Sequence, residues 1–488
     1  MRVRFAPSPT GFLHIGGLRT ALYNLLLAEK EGGVFVLRVE DTDRSRFVPE
    51  AEKDILDSLA WAGLEFGEGP GKDGGFGPYH QSERSELYTS VTEKLIQSGN
   101  AYVAFDTPEE IDEMKERHRS KENPNPRYDL TTRGEMSNSL SLDEEEVSRR
   151  LGAGEDHVVR MKVEPGRVIE FEDAIRGLVS FESSTVDDQV LVKSDGLPTY
   201  HLANIVDDHE MQITHVIRGE EWLPSTPKHI FLYEALGWRA PTMAHLPLIL
   251  SPTGGKLSKR NAEKQGIPVS VSQYRDAGYE PEALINFLAL LGWNPGDERE
   301  LFSLSELCEA FSLERVGQSG VQFDLQKLQW FNEQYLRERS SESIAGQVLE
   351  TAVSRFGDVS LENLSRAVDL MKERMSFAHD ILDASFLFER PSEYDEKSVQ
   401  KRWKEDSGST LTRFIERLER LDDWSTESLE GDLKAMVEEE EIGMGKLMFP
   451  LRLGLSGSPS GPGLYDMMVY FGKNETTERL KQAVAQLP

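Results

Sequence analysis

The chain has 488 residues, with 85 acidic against 55 basic side chains, a formal charge of −30, 10 histidines and one cysteine. That length exceeds one ordinary hydrophobic core and predicts about three to five domains. Cys308 alone excludes an internal disulfide or a thiolate zinc cluster, and no apolar run is long enough to span a bilayer. The start MRVRFAPSPT carries no apolar leader segment, so a cytoplasmic protein with no membrane partner is expected.

Residues 3–6 read as a short β-strand, and Leu18, Ala21, Leu22, Leu25 and Leu26 recur at the spacing of one helical face. Between them APSPTGFLHIGGLRT (6–20) spends two prolines, three glycines and one histidine on a strand-to-helix loop. Glycines there admit a ligand close to the backbone, and a helix start offers N–H groups to a phosphate. A tight surface connection explains the same residues equally well.

GGVFVLRVEDTD (32–43) is the near-continuous apolar run of a strand buried on both faces. Alternation puts Val34, Val36, Arg38 and Glu40 on one face, with Glu40 at the carboxyl end. Pro49 then opens a helix carrying Ile55, Leu56 and Leu59. Strand, helix, strand, helix starts a doubly wound α/β domain, in which ligands sit outside the carboxyl ends of the strands. The opening loop and Glu40 are therefore expected in one crevice.

Residues 82–198 read as an inserted α+β domain, with strands at HVVRMKV (157–163) and DDQVLVKSDG (187–196). From PTYHLANIVDDH (198–209) the α/β pattern resumes, PEALINFLALLGW (281–293) is a strongly apolar helix, and beyond Gln326 nearly every segment has helical period. There is no clear internal repeat. The acid surplus taken alone argues against a nucleic-acid partner, yet net charge does not set the sign of one face. KERHRSKENPNPRYD (115–129), GGKLSKRNAEK (254–264) and KSVQKRWK (397–404) are local basic stretches, each more simply a solvated loop or helix face when read by itself.

PSPTGFLHIGG resembles the first signature of the class I aminoacyl-tRNA synthetases, and KLSKR resembles the second. With RVEDTD, GPYHQSER, VIRGEEW and FDLQKLQW in the same order, essentially the whole chain is similar to the bacterial glutamyl-tRNA synthetases. The resemblance implies a multidomain α/β plus all-α protein with a Rossmann-type catalytic domain. Its halves are 1–81 and 199–250, around an inserted acceptor-stem-binding domain at 82–198. A linking domain at 251–337 carries the KLSKR loop, and helical anticodon-binding subdomains follow at 338–393 and 394–488. It also implies a monomer. Gly17 departs from the signature histidine, and AYVAFDTPEE lacks the cysteines with which some relatives bind zinc, so no metal site and no zinc are expected.

The implied reaction joins L-glutamate to ATP, with Mg²⁺, and then to tRNA(Glu). It needs positioning and stabilisation of phosphate charge and no enzyme nucleophile. By resemblance His14, Lys256 and Lys259 are catalytic, and ATP meets Pro9, Thr10, Gly11, His14, Gly16, Gly17, Glu221 and Lys259, with Trp222 beside the adenosine. Glutamate meets Arg4, Ala6, Ser8, Glu40, Tyr200, Asn204 and Arg218. The two arginines suit its carboxylates and Glu40 its ammonium, although either arginine pairing with local acids such as Asp207 or Glu220 is a simpler alternative. Arg374 stands where discriminating relatives carry an arginine that reads the third anticodon base, and relaxed ones often a glutamine. A discriminating enzyme is expected, the alternatives being one that also charges tRNA(Gln), or a non-catalytic module derived from a synthetase. A truncated tRNA-modifying relative lacks the helical half, and a glutaminyl enzyme would replace it with β-barrels.

Overall fold

Val3, Arg4 and Phe5 of the opening strand are all buried, although period two turns Arg4 away from the other two. A strand buried on both faces belongs inside a sheet covered by helices. The computed structural model describes all 488 residues apart from the side chains of Lys259 and Glu263. In chain order the strands are β1 (Arg2–Phe5), β2 (Val34–Leu37), β3 (Ala101–Ala104), β4 (Val158–Met161), β5 (Val168–Asp173) and β6 (Gly177–Glu182). They continue with β7 (Val190–Val192), β8 (His215–Gly219), β9 (Thr242–Leu246), β10 (Ile249–Leu250) and β11 (Val321–Gln322).

The chain divides into two units, Met1–Ala277 with Pro281–Lys327, and Gly278–Glu280 with Leu328–Pro488. In the first, the main sheet runs β2-β1-β8-β9-β5-β6, parallel throughout except for the β5–β6 hairpin. Both neighbours of β1 follow it in the chain but lie on opposite sides of it, β2 on one and β8 on the other, so the strand order reverses there and a crevice opens beyond the carboxyl ends of β1, β2 and β8. The stretch 82–198 builds its own sheet, β3-β4-β7, around Tyr102, Met114, Tyr128 and Met136, and also lends β5 and β6 to the main sheet.

Helix α1 (Ile15–Lys30) packs on β1, β2 and β8 with Leu18, Ala21, Leu22, Leu25 and Leu26 buried, as their spacing requires. Its other side is buried too, because the helices Pro281–Leu290 and Leu304–Ala310 cover it. There Arg19 Nη1 donates to the Leu291 carbonyl at 2.9 Å and Tyr23 OH to that of Ala289 at 2.9 Å. Polar side chains off the apolar face are thus sealed by distant sequence. Helix α2 (Ala51–Trp61) buries Ile55 and Leu59, with Leu56 half-buried.

The second unit is helical, as the periodicity beyond Gln326 predicts. Its two cores centre on Ile344, Leu364 and Val368, and on Leu411, Phe414, Leu451 and Leu480. Gly457 adopts φ 71°, a left-handed cap that ends the helix Met444–Ser456. Among the described residues no group of three or more His, Cys, Asp or Glu is arranged to hold a metal ion, and no helix is long and apolar enough to cross a membrane.

Candidate active site

The loop after β1 is pinned to the segment after β2. Glu40 N–H donates to the Pro7 carbonyl at 3.0 Å and Val48 N–H to that of Pro9 at 3.0 Å. Leu13 N–H donates to Asp54 Oδ2 of α2 at 2.7 Å. His14 then N-caps α1, its Nδ1 accepting from Gly16 N–H at 2.9 Å. That bond places the imidazole proton on Nε2, while burial and the nearby Lys256 charge lower the His14 pKa, so the ring is a neutral donor. It also engages the Gly16 N–H, leaving that of Gly17 as the open backbone donor at the helix start among the described residues. A Cβ on Gly17 would lie 3.0 Å from Leu13 Cδ1, a tight contact with the end of a flexible side chain.

Outside the strand ends lies a cavity of about 710 Å³. Arg4, Ala6, Ser8, Thr10, Gly16, Gly17, Glu40, Tyr200, Arg218, Glu221 and Trp222, all predicted from sequence, line it. Asn204 stands behind this wall with its Oδ1 accepting from Arg4 and Arg38, both at 3.3 Å. Pro9 is buried, Gly11 is exposed, and neither lines the cavity.

Beneath Glu40 sits a buried charge cluster that sequence reasoning missed. Asp208 accepts from Arg4 Nε at 2.9 Å and Arg38 Nη1 at 2.7 Å, and Arg38 also reaches Glu40 at 3.2 Å. The neighbouring Asp207 takes Arg84, Gln81 and Tyr88 at 2.7–2.9 Å. Burial pushes the Asp208 carboxyl up, but Arg4 and Arg38 more than reverse this and hold it below its ordinary value. Glu40 has weaker support, and burial pushes it up to about 7 against the pull of Arg38 and Arg4. Arg4 thus pairs with Asp208 rather than Asp207. Its Nη1 has no protein partner among the described residues. A hint was available in sequence, since Asn204 and Asp208 are spaced i, i+4 on the helix Tyr200–Glu210 and face one guanidinium.

Arg218 on β8 is buried and has no carboxylate partner among the described residues. Its donors go to neutral groups: Nε to His245 Nε2 at 3.1 Å, Nη1 to Tyr200 OH at 3.0 Å and to His229 Nδ1 at 3.2 Å, and Nη2 to Thr226 Oγ1 at 2.9 Å. Burial and then the Arg218 charge hold His229 well below its ordinary value, and burial lowers His245 as well. A last bond, Nη2 to the Trp222 carbonyl, is long at 3.5 Å. The guanidinium is oriented on all sides but not neutralised.

Trp222 leans on Tyr200 with ring centroids 4.3 Å apart. Lys256 Nζ pairs with Glu221 Oε1 at 3.2 Å in an exposed ion pair at the cavity edge. Beyond the short helix that follows this loop, the chain is tied to the first signature where Ile15 N–H donates to the Val269 carbonyl at 3.1 Å and Val271 N–H to that of Leu13 at 2.9 Å. The side chain of Lys259 lies outside the described residues. Arg374, in the second unit, is exposed on the turn Lys372–Arg374, and its charge adds to burial in lowering the pKa of Arg452.

Two family models match this chain, tRNA synthetases class I (E and Q), catalytic domain, over 1–330, and an anticodon binding domain over 343–484. The glutamate–tRNA ligase of Christiangramia forsetii is 48% identical over 501 residues, covering 100% of this chain and 99% of the relative. That of Flavobacterium johnsoniae is 48% identical over 499 residues with the same coverage. The crystal structure of a glutamate tRNA ligase from Elizabethkingia meningosepticum in complex with its amino acid superposes with a TM-score of 0.95 at 44% identity, covering 100% of both chains. With both signatures at one crevice and relatives alike from end to end, the chain belongs to the glutamate–tRNA ligases, a family of class I aminoacyl-tRNA synthetases.

Proposed function

We propose that this chain activates L-glutamate with ATP and transfers it to the 3′-terminal ribose of tRNA(Glu). The observation that carries the substrate assignment is Arg218, a buried, oriented, uncompensated cation on the cavity wall. A side-chain carboxylate supplies the missing charge, displacing the long bond to Trp222 O and taking a hydrogen bond from Tyr200 OH. Glutamine leaves the guanidinium unneutralised, and a buried site built for a charge rejects an analogue lacking it by large factors. Glu40 holds the ammonium. The free Nη1 of Arg4 orients the α-carboxylate.

One α-carboxylate oxygen attacks the α-phosphorus, the bond to the bridging oxygen breaks, and pyrophosphate leaves. The ribose hydroxyl then attacks the acyl carbon and AMP leaves with the bonding pair. His14 Nε2–H, the Gly17 N–H, Lys256 and Lys259 meet the charge on the phosphates, with Thr10 and Glu221 bordering the nucleotide; Mg²⁺ enters with ATP as part of that substrate. Arg374 reads the third anticodon base and makes the enzyme discriminating. Pyrophosphate exchange with tRNA(Glu) present tests the assignment: exchange that depends on glutamate and not glutamine is expected, and none with glutamate overturns it.

A further inference from the structure

Arg218 and His245 are register partners on the adjacent strands β8 and β9, and Asp173 lies on the next strand, opposite Met243. His245 is two residues beyond Met243 and so points to the same face. The sheet thereby lines up Asp173, His245 and Arg218 across three strands. Asp173 Oδ2 accepts from His245 Nδ1 at 2.6 Å, and His245 Nε2 accepts from Arg218 Nε at 3.1 Å. Asp173 and His245 are essentially sealed from solvent, and neither lines the cavity.

We infer that Asp173, acting through His245, is a positioning residue for Arg218 and thereby sets glutamate recognition. The inference rests on the proposed role of Arg218 as receptor for the side-chain carboxylate. A neutral imidazole has one donor and one acceptor nitrogen. The carboxylate of Asp173 accepts only, so it fixes the proton on Nδ1 and leaves Nε2 an acceptor toward the guanidinium and toward the Thr226 hydroxyl, whose Oγ1 is also 3.1 Å away. The other tautomer would set N–H against N–H in a buried site. Asp173 also keeps Arg218 uncompensated, because a neutral ring lies between the two charges. A carboxylate in direct contact would neutralise the guanidinium and remove its need for a ligand anion.

The other oxygen of Asp173 makes the test specific. Oδ1 accepts from the backbone N–H groups of Ile175 and Arg176, both at 3.0 Å. In Asp173→Asn those donors select the amide oxygen, and the –NH₂ is turned toward His245 Nδ1. The shape is unchanged but the tautomer reverses.

The full-length enzyme is assayed in aminoacylation of tRNA(Glu), with KM measured separately for glutamate and ATP. In Asp173→Asn the KM for glutamate is expected to rise about 10- to 100-fold, with the KM for ATP within about twofold of its original value. ¹⁵N NMR of labelled histidine reports the His245 proton moving from Nδ1 to Nε2. His245→Gln, whose oxygen replaces Nε2 as acceptor, is expected to keep the KM for glutamate within about threefold, whereas His245→Leu raises it like Asp173→Asn. An unchanged glutamate KM in folded Asp173→Asn, or an equal rise for both substrates, overturns the positioning role. Should Asp173→Asn fail to fold, equal effects of His245→Gln and His245→Leu overturn it. Arg218→Ala separates the two levels. If that variant leaves the glutamate KM unchanged, the pocket assignment fails; if it raises the KM while Asp173→Asn does not, only the positioning role fails.

Discussion

Arg38 and Asp208 meet at 2.7 Å with both side chains sealed from water, and Asp208 serves Arg4 in the same way. Two guanidiniums lean on this one carboxylate beneath the cavity. Removing one partner of a buried pair leaves an uncompensated charge and costs about 3–5 kcal/mol. Asp208→Ala is therefore expected to lower the urea midpoint of the first unit's unfolding transition by that equivalent. A midpoint within experimental error of the original would show that the cluster does not support the fold.

Glu40 gives the pH dependence a definite sign. Its native pKa of about 7 lies above the ordinary carboxyl value, so the folded protein binds this proton more tightly than the unfolded chain does. The stability this contributes is present at low pH and is lost as pH rises through about 7. Glu40→Gln is accordingly expected to raise the thermal midpoint at pH 8 while abolishing glutamate activation.

Glutamate's ammonium selects the ionised form of the same carboxyl. Below about pH 7, kcat/KM for glutamate is expected to fall roughly tenfold per unit, with no such limb in the KM for ATP. A profile flat from pH 7 to pH 5 would remove Glu40 from ammonium binding.

His14 combines a cap and a donor, and one substitution separates them. His14→Asn keeps an acceptor for the Gly16 N–H and should preserve stability within about 0.5 kcal/mol. It removes the Nε2–H, and adenylate formation is expected to fall about 10²- to 10³-fold. Lys259→Ala is expected to show a loss of the same order in single-turnover adenylate formation without change in fold. Unchanged turnover in either variant would reject its assigned role.

Arg374 offers only hydrogen-bond donors, which suits the O2 and N3 acceptors of a cytosine. With labelled glutamate the enzyme is expected to charge tRNA(Glu) and leave tRNA(Gln) uncharged. Arg374→Gln should relax the preference by about 1–3 kcal/mol, read as the ratio of kcat/KM for the two tRNAs. Comparable charging of both by the unmodified enzyme would overturn discrimination and leave the ligase assignment untouched.

Local chemistry in the sequence determined the strand-loop-helix start, the apolar face of α1, the helical second unit and the place of Glu40 beside the opening loop, because each depends on spacing within about one or two turns or on a contiguous motif. Glu40 was legible for that reason, whereas Arg4, Tyr200 and Arg218 entered only through the resemblance of their motifs to a known family. What the tertiary structure alone decided is how those charges are compensated. Arg38 reads locally as one polar residue in an apolar strand, yet it is sealed against Asp208 by a helix 170 positions away. Arg19 and Tyr23 lie off the apolar face that the spacing of α1 picks out, and it is the residues around 289–291 that cover them. Asp173 and His245 carry no motif, and only the pairing of β5, β9 and β8 brings them behind Arg218. A short pattern can specify that a residue is charged or apolar. Whether its charge meets a carboxylate, a neutral imidazole or open cavity is set by long-range contacts, and it is that difference which leaves Arg4 paired and Arg218 without an anion.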